Sequence, residues 1–247
     1  MTKGLVVVTG AASGIGLAAT ERLLAQGWRV AALDRDGGGL DALRTRFSDG
    51  TLQVHALDLT DEAALAALPG ALEGARVVGL VNSAGIGANT PFRDTTPADF
   101  RRIYEINVVA GFALAQTLLP SMEAAGGGSI VNIASVSGML GNLGRSAYGA
   151  SKGAVIALTK IMAVELAPAA IRVNAVSPGP IETPMVREWH DEATRERWLA
   201  KVALRRYGEP DETAGAILFL IDPAASSYVT GQVLAVDGGF TTAGLLP

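Results

Sequence analysis

The chain has no cysteine and only two histidines, His55 and His190, far apart in the sequence. Disulfides are excluded, and a zinc site would lack its usual ligands, so no metal is expected. A basic surplus is also missing: 20 Lys+Arg against 24 Asp+Glu leave a net charge of −4. That argues against nucleic acid or an anionic membrane as a partner. Apolar runs such as Ala214–Ile221 fall well short of the roughly 18 residues that cross a bilayer, and the N-terminal run is too short for a signal peptide. The expectation is a cytoplasmic protein. No Pro/Ser-rich linker, charge block or repeat divides the 247 residues, so one domain over 1–247 is expected. Apolar residues are plentiful instead, at 49%. That supplies an extensive core and a surplus for subunit contacts.

Short apolar runs alternate with helical patterns. The strand candidates are Leu5–Val8, Arg29–Leu33, Leu52–Leu57, Val77–Val81, Ser129–Ala134, Arg172–Val176 and Val233–Val236. Most are continuous in Val, Ile, Leu and Ala, as in strands covered on both faces. Helices are predicted over Gly16–Ala25, Gly39–Phe47, Asp61–Leu68, Pro97–Ala124, Ala147–Leu166 and Asp211–Ile221. Thr96-Pro97-Ala98-Asp99 and Pro210-Asp211-Glu212 carry helix-start signals: a capping hydroxyl, proline in the first turn, acids at the positive end of the dipole. The alternation implies an α/β fold, a doubly wound Rossmann-type parallel sheet of about seven strands with helices on both faces. Ligands of such sheets bind at the carboxyl ends of the strands.

The first strand runs into Gly10-Ala11-Ala12-Ser13-Gly14-Ile15-Gly16, which opens a helix. Glycines there allow a sharp turn and close approach of a pyrophosphate to the free N–H groups of a helix start. A tight strand–helix turn would need glycine anyway, so the context matters. Asp34 ends the second strand, where a carboxylate accepts hydrogen bonds from ribose hydroxyls and repels a 2′-phosphate. Arg35 next to it could instead receive a phosphate, but Ser13 stands where a second base would help, so NAD is favoured over NADP. Asp58-Leu59 and Asn82-Ser83-Ala84-Gly85 end the third and fourth strands, where adenine and its ribose would lie. A bland account makes Asp58 the start signal of the next helix.

Tyr148 and Lys152 stand four apart and so share a helix face. Ser135 closes the strand thirteen residues earlier. Alcohol oxidation needs a base for the hydroxyl proton while hydride leaves carbon. A tyrosine would have to drop about 3 units from about 10, roughly 4 kcal/mol, to serve at neutral pH. A neighbouring ammonium and an oxidised nicotinamide both favour the phenolate. Ser135 would hydrogen-bond the substrate oxygen. Taken alone, the same residues describe a core aromatic and a surface lysine.

In order along the chain, TGAASGIG at 9–16, Asp34, Asp58-Leu59, NSAG at 82–85, Asn107, Ser135, YGASK at 148–152, Asn174 with PGPIETP at 178–184, and VDGG at 236–239 resemble the classical short-chain dehydrogenase/reductase family over essentially the whole length. Ser83 departs from it, since the family usually has a second asparagine there. The resemblance implies a catalytic set of Asn107, Ser135, Tyr148 and Lys152, with the backbone at Asn107 holding a water linked to the lysine. Lys152 would also bind the nicotinamide ribose. Cofactor contacts are implied for Gly10, Ser13, Gly14, Ile15, Gly16, Asp34, Arg35, Asp58, Leu59, Asn82, Ala84, Gly85, Tyr148 and Lys152. Pro178, Gly179, Ile181 and Thr183 would hold the carboxamide and phosphate.

Glu182–Lys201, with Met185, Trp189, His190 and Trp198, is read by the same analogy as a lid over the substrate, core packing of its aromatics being the competing account. Ser135, Met139, Asn142, Tyr148, Met185 and Trp189 are the substrate-facing candidates. Helix Ala147–Leu166 is apolar nearly all round, more than one sheet can cover. A homo-oligomer through it and Pro97–Ala124 is therefore expected, a tetramer by analogy or else a dimer, with the tail Thr241–Pro247 as a candidate arm to a neighbour. The reading is an NAD(H)-dependent oxidoreductase that interconverts a secondary alcohol and a ketone. An NADPH-dependent 3-oxoacyl thioester reductase and a catalytically silent nucleotide-binding scaffold are the alternatives. Substrate identity does not follow from the residues.

Overall fold

The structure is a computed structural model that describes residues 3–244; residues 245–247 of the tail lie outside the described residues. Seven strands form one parallel sheet: β1 (Leu5–Thr9), β2 (Arg29–Asp34), β3 (Leu52–Ala56), β4 (Val77–Asn82), β5 (Gly128–Ile133), β6 (Ile171–Pro178) and β7 (Val233–Val236). Their spatial order is β3-β2-β1-β4-β5-β6-β7. The register sets Val7 between Ala31 of β2 and Leu80 of β4. The order reverses at β1, so the crevice between β1 and β4 opens at their carboxyl ends, the place where such sheets bind ligands.

The continuous apolar strands are explained by two cores of opposite sidedness. Val6, Val8, Val30 and Ala32 face one layer, built on α1 (Gly14–Ala25), α2 (Gly37–Arg46) and α9 (Pro210–Ile221), with Leu23, Leu40, Leu43 and Ile217. Leu5, Val7, Ala31 and Leu33 face the other, built on α3 (Glu62–Ala71), α5 (Ala110–Ala124) and α6 (Ser146–Glu165), with Leu65, Leu114, Leu118 and Met162. The period of two along each strand feeds both layers, so the strand residues are mostly apolar on either side.

Several predicted boundaries shift. The helix after β2 starts at Gly37 rather than Gly39, because the Asp36 carboxylate accepts from the Gly39 N–H and caps it. Pro97–Ala124 runs as one 28-residue helical stretch, but it is not uniform. After α4 (Pro97–Tyr104), which the Thr96–Asp99 capping box starts as expected, Glu105–Val109 forms a π-helical turn before α5. The stretch is long and apolar enough to cross a membrane by composition; here α5 packs on β4 and on α3. The segment read as a lid contains α7 (Pro184–Trp189) and α8 (Glu192–Leu199), and α10 (Pro223–Ser226) follows α9.

Candidate active site

A cavity of about 350 Å³ lies along the carboxyl ends of the strands, from Asp34 at one end to Ser135, Tyr148 and Lys152 at the other. At the β1–α1 turn, Gly10 and Gly14 have φ of 66° and 55°, the left-handed region that favours glycine. Gly16 is needed for another reason: a Cβ there would sit 2.1 Å from the Gly10 carbonyl oxygen. It therefore holds the turn against the helix and does not line the cavity, whereas Gly10, Ser13, Gly14 and Ile15 do. Ser13 precedes α1 without a side-chain cap, so the first N–H groups of the helix are left for a ligand.

Asp34 lines the cavity with Arg35. Its two carboxylate oxygens accept from the backbone N–H groups of Ala12 and Asp36, both at 3.0 Å. These bonds fix the carboxylate beside the glycine turn. Arg35 faces Asp58, whose pKa is lowered mainly by hydrogen bonds from the Thr60 N–H and hydroxyl, with Arg35 adding a smaller attraction. Asp58 thus acts as the local turn signal and still lines the cavity with Leu59, Ala84 and Gly85. Asn82 stands behind this wall, donating to Asn132 Oδ1 at 2.9 Å and tying β4 to β5. Thr9 Oγ1 accepts from the N–H groups of Ser83 and Ala84, which sets the loop after β4 across the end of β1.

The predicted reactive groups converge. Ser135 follows β5 and faces the Tyr148 phenol; its oxygen accepts from the Ser137 N–H at 3.1 Å. Lys152 is 6% exposed, and its ammonium donates to the Ile133 carbonyl at 2.7 Å, lying 5.9 Å from the Tyr148 ring centre. Burial lowers its pKa to about 8. In this geometry Tyr148 is not primed as the sequence suggested. Burial raises its pKa, and the neighbouring Ser135 hydroxyl and the positive charge of Arg145 pull the other way. The lysine head is held by a backbone carbonyl instead of the phenol.

Asn107 sits inside the π-helical turn, one layer behind. Its Oδ1 accepts from the Ile86 N–H (2.8 Å), while Nδ2 donates to the Ile86 carbonyl (2.9 Å) and to Ser151 Oγ (3.0 Å). One amide thereby clamps the loop after β4 to α6. Local bonding within its own helix, the ordinary use of such an asparagine, is not what it does.

Pro178, Gly179, Ile181 and Thr183 close the cavity from β6, and Thr183 caps α7 through the Val186 N–H. Of the substrate-facing candidates, Met185 lines the cavity along with Ser135 and Tyr148. The other three lie elsewhere. Met139 is exposed next to the turn after Ser135, and Asn142 donates to Ser137 Oγ. Trp189 lies flat against the Gly87 backbone, where an added Cβ would meet its ring at 2.3 Å. The apolar wall is made by Ile86 and Val186, which sequence reasoning missed; their positions directly after NSAG and inside the lid were the available signals.

The foot of the lid is packed. His190 is 5% exposed, stacks on Trp198, and places Nδ1 2.9 Å from the Tyr207 hydroxyl. Trp198 rests on Phe240, and Glu182 receives both amino groups of Arg195. Arg145 was also missed. It lies three residues before Tyr148, at the N-cap of α6, which brings it near the first-turn tyrosine. Its guanidinium lies 5.5 Å from the Tyr148 ring centre and donates to the Ala88 carbonyl (2.9 Å) and to His190 Nε2 (3.1 Å). Burial first, then Arg145 and Arg195, push His190 down to about 4. It is therefore neutral at neutral pH, with Nε2 accepting and Nδ1 carrying the proton.

The model of the family described as enoyl-(acyl carrier protein) reductase matches residues 10–241. Galactitol 2-dehydrogenase (L-tagatose-forming) of Cereibacter sphaeroides is 40% identical over 238 residues, 95% of this chain and 93% of that protein. The chain belongs to the short-chain dehydrogenase/reductase family. Within that family its relatives differ in named reaction: a 3-oxoacyl-[acyl-carrier-protein] reductase of Thermotoga maritima is also 40% identical, over 94% of this chain and 96% of its own length. Among solved structures, a 7α-hydroxysteroid dehydrogenase complexed with NADH and 7-oxo glycochenodeoxycholic acid superposes with a TM-score of 0.90 at 36% identity, covering 96% of this chain and 93% of its own. In this chain Ser135, Tyr148 and Lys152 come together at the carboxyl ends of the parallel sheet.

Proposed function

We propose that this short-chain dehydrogenase/reductase interconverts a secondary alcohol and a ketone with NAD(H). The observation that carries the reading is one continuous cavity with a nucleotide-type end, the glycine turn and Asp34, and a proton-transfer end, Ser135, Tyr148 and Lys152. The cavity fits a dinucleotide: free N–H groups face the pyrophosphate position, and the turn has no room for side chains at Gly10 and Gly16. Gly10, Ser13, Gly14, Ile15, Asp34, Asp58, Leu59, Ala84 and Gly85 would hold the adenosine half, and Lys152, Pro178, Gly179, Ile181 and Thr183 the nicotinamide half. When bound, the cofactor accepts or donates the hydride. Tyr148 takes the proton of the alcohol or returns it to the ketone oxygen, and Ser135 hydrogen-bonds that oxygen as charge develops on it. Lys152 holds a ribose hydroxyl and draws the phenol toward its ionised form. Asn107 keeps the loop after β4 in register with the helix that carries both.

Asp34 supports NAD over NADP, since a fixed carboxylate repels a 2′-phosphate, and Arg35 is drawn toward Asp58. The Thermotoga relative keeps a second reading in view, an NADPH-dependent 3-oxoacyl thioester reductase. Glu182–Lys201 is proposed as the substrate lid, bringing its own Met185 and Val186 to the cavity wall that Ile86 also lines, the rest of the chain forming the same single domain. Val109 and Phe112 around the start of α5, and Ile161 and Val164 on α6, are 40–75% exposed. These apolar faces support a homo-oligomer, a tetramer or a dimer, and the chain is proposed to work in the cytoplasm. A panel of sugars, polyols, cyclic ketones and steroids, followed by nicotinamide absorbance with each cofactor, tests the reading. Turnover of an alcohol with NAD supports it; reduction of 3-oxoacyl thioesters alone, with tighter NADPH binding, overturns it.

A further inference from the structure

Among the groups around the site, Arg145 is the one cation that the catalytic reading leaves without work. It is mostly buried, and among the described residues no carboxylate pairs with it. Its partners are the Ala88 carbonyl, the imidazole of His190 and the face of Tyr148, all neutral. Glu182 of the lid is engaged by Arg195 and Arg187. A charge buried among neutral partners keeps a long reach, because neither water nor a counter-ion screens it. Two phenols lie within that reach and gain from a positive neighbour, Tyr207 and Tyr148, and of the two Tyr148 lines the cavity. Facing the phenol are Ser135, Lys152 and Arg145.

We infer that Arg145 is a positioning residue that acts through Tyr148: its unscreened charge lowers the proton affinity of the phenol, and His190 and Ala88 hold it in place to do so. Lys152 does not make it redundant. Its ammonium is turned to the Ile133 carbonyl, and burial brings its pKa to about 8. Above that pH it loses charge, while a guanidinium stays charged. The lid takes part, because His190 caps α7 and accepts from Arg145, so the catalytic phenol and the lid share one hydrogen-bonded cation. A cation held against the ring favours the charged phenolate over the neutral phenol.

The inference rests on Tyr148 being the base, but its test does not need a substrate. Tyrosinate absorbance is titrated in the full chain, and the Tyr148 component is taken as the difference from Tyr148→Phe. Arg145→Gln should move that component up by about one unit or more, and Arg145→Lys, which keeps the charge but not the fork, should bring most of it back. His190→Glu, which leaves the guanidinium in place and sets a carboxylate against it, should also move it up. That variant decides the matter if Arg145→Gln does not fold. Where a substrate is known, the rising limb of kcat/KM for oxidation should shift upward by the same amount, with NADH affinity unchanged. Equal titrations in the Gln and Lys variants would overturn the inference, as would an unshifted limb with a raised KM, which would make Arg145 a substrate contact. Failure of wild type on every alcohol and ketone would reject the proposed function instead and leave the titration to judge Arg145.

Discussion

Lys152 spends its ammonium on the Ile133 carbonyl, 2.7 Å away, and not on Tyr148. This bond runs from α6 to the end of β5 and places a lysine head, 6% exposed, at the floor of the cavity. A buried ammonium with one carbonyl partner is a stability cost kept for function.

The sign of that cost is testable. Burial holds Lys152 near 8 against 10.5 for an ordinary lysine, so the native state releases this proton before the unfolded chain does. The penalty is complete below pH 8 and fades as pH rises toward 10.5. Lys152→Met should therefore stabilise the protein at pH 7 by about 2 kcal/mol, the shift being worth about 3 and the lost hydrogen bond offsetting about 1. The gain should shrink steadily above pH 8, while kcat/KM falls by about 10²–10⁴. Denaturant midpoints at pH 7 and 10 check the first claim and steady-state kinetics the second.

Tyr148→Phe removes one hydroxyl from a ring whose packing against Arg145 and Lys152 is otherwise kept. Turnover should drop by about 10²–10⁴, with NADH affinity by fluorescence titration nearly unchanged. Retained turnover would assign the proton to another group.

Much of this was legible because it depends on local spacing. Tyr148 and Lys152 share a face by helix geometry alone, and Val6 and Val7 announce a strand buried on both faces because neither alternates with a polar residue. Ser135, Asp34 and the glycine turn lie at strand ends, where sheet topology brings them to one edge. What escaped depends on long-range contacts. The three hydrogen bonds of Asn107 join residues 21 and 44 positions away, and nothing in the local pattern announces the π-helical turn that carries it. Trp189 and Asn142 have the residue types of a substrate wall, yet Gly87 and Ser137 take them up. Arg145 stands a visible three residues before Tyr148; that no carboxylate pairs with it among the described residues exists only in three dimensions.

Cofactor preference should turn on Asp34. Its carboxylate is fixed by two N–H groups, so it cannot swing away from a 2′-phosphate. Asp34→Ser removes the repulsion and a charged acceptor for the ribose hydroxyls, the latter alone worth about 1.5–3 kcal/mol. The ratio of NADPH to NADH affinity should rise by about 10–100-fold. Calorimetric titration of both cofactors reads it; an unchanged ratio would remove Asp34 from the ribose site.

Asn107→Ala should damage stability and the site together. It strips the N–H and the carbonyl of Ile86 of their partners at the cavity wall. At about 1–3 kcal/mol for each unsatisfied group, and with some water entering, a loss of about 2–4 kcal/mol is expected. That corresponds to a Tm lower by about 5–10 °C for a chain of this size. Asn107→Asp keeps the acceptor for the Ile86 N–H but buries a charge and turns a second oxygen on the Ile86 carbonyl, so at neutral pH it should be no more stable than the alanine variant. Thermal unfolding of the two variants side by side checks the order.

Assembly should fail at the outer face of α6. Ile161 is 53% and Val164 75% exposed on the protomer, side by side on one helix and separate from the cavity. If the protomer worked alone, Ile161→Glu would be a surface change within about 0.5 kcal/mol and without effect on size. In an oligomer the same substitution buries an unpaired carboxylate between subunits, a much larger penalty. Light scattering of the wild type should give a multiple of 25.3 kDa, and Ile161→Glu should bring it down toward a single chain. A wild-type mass of one chain at micromolar concentration would sink the interface.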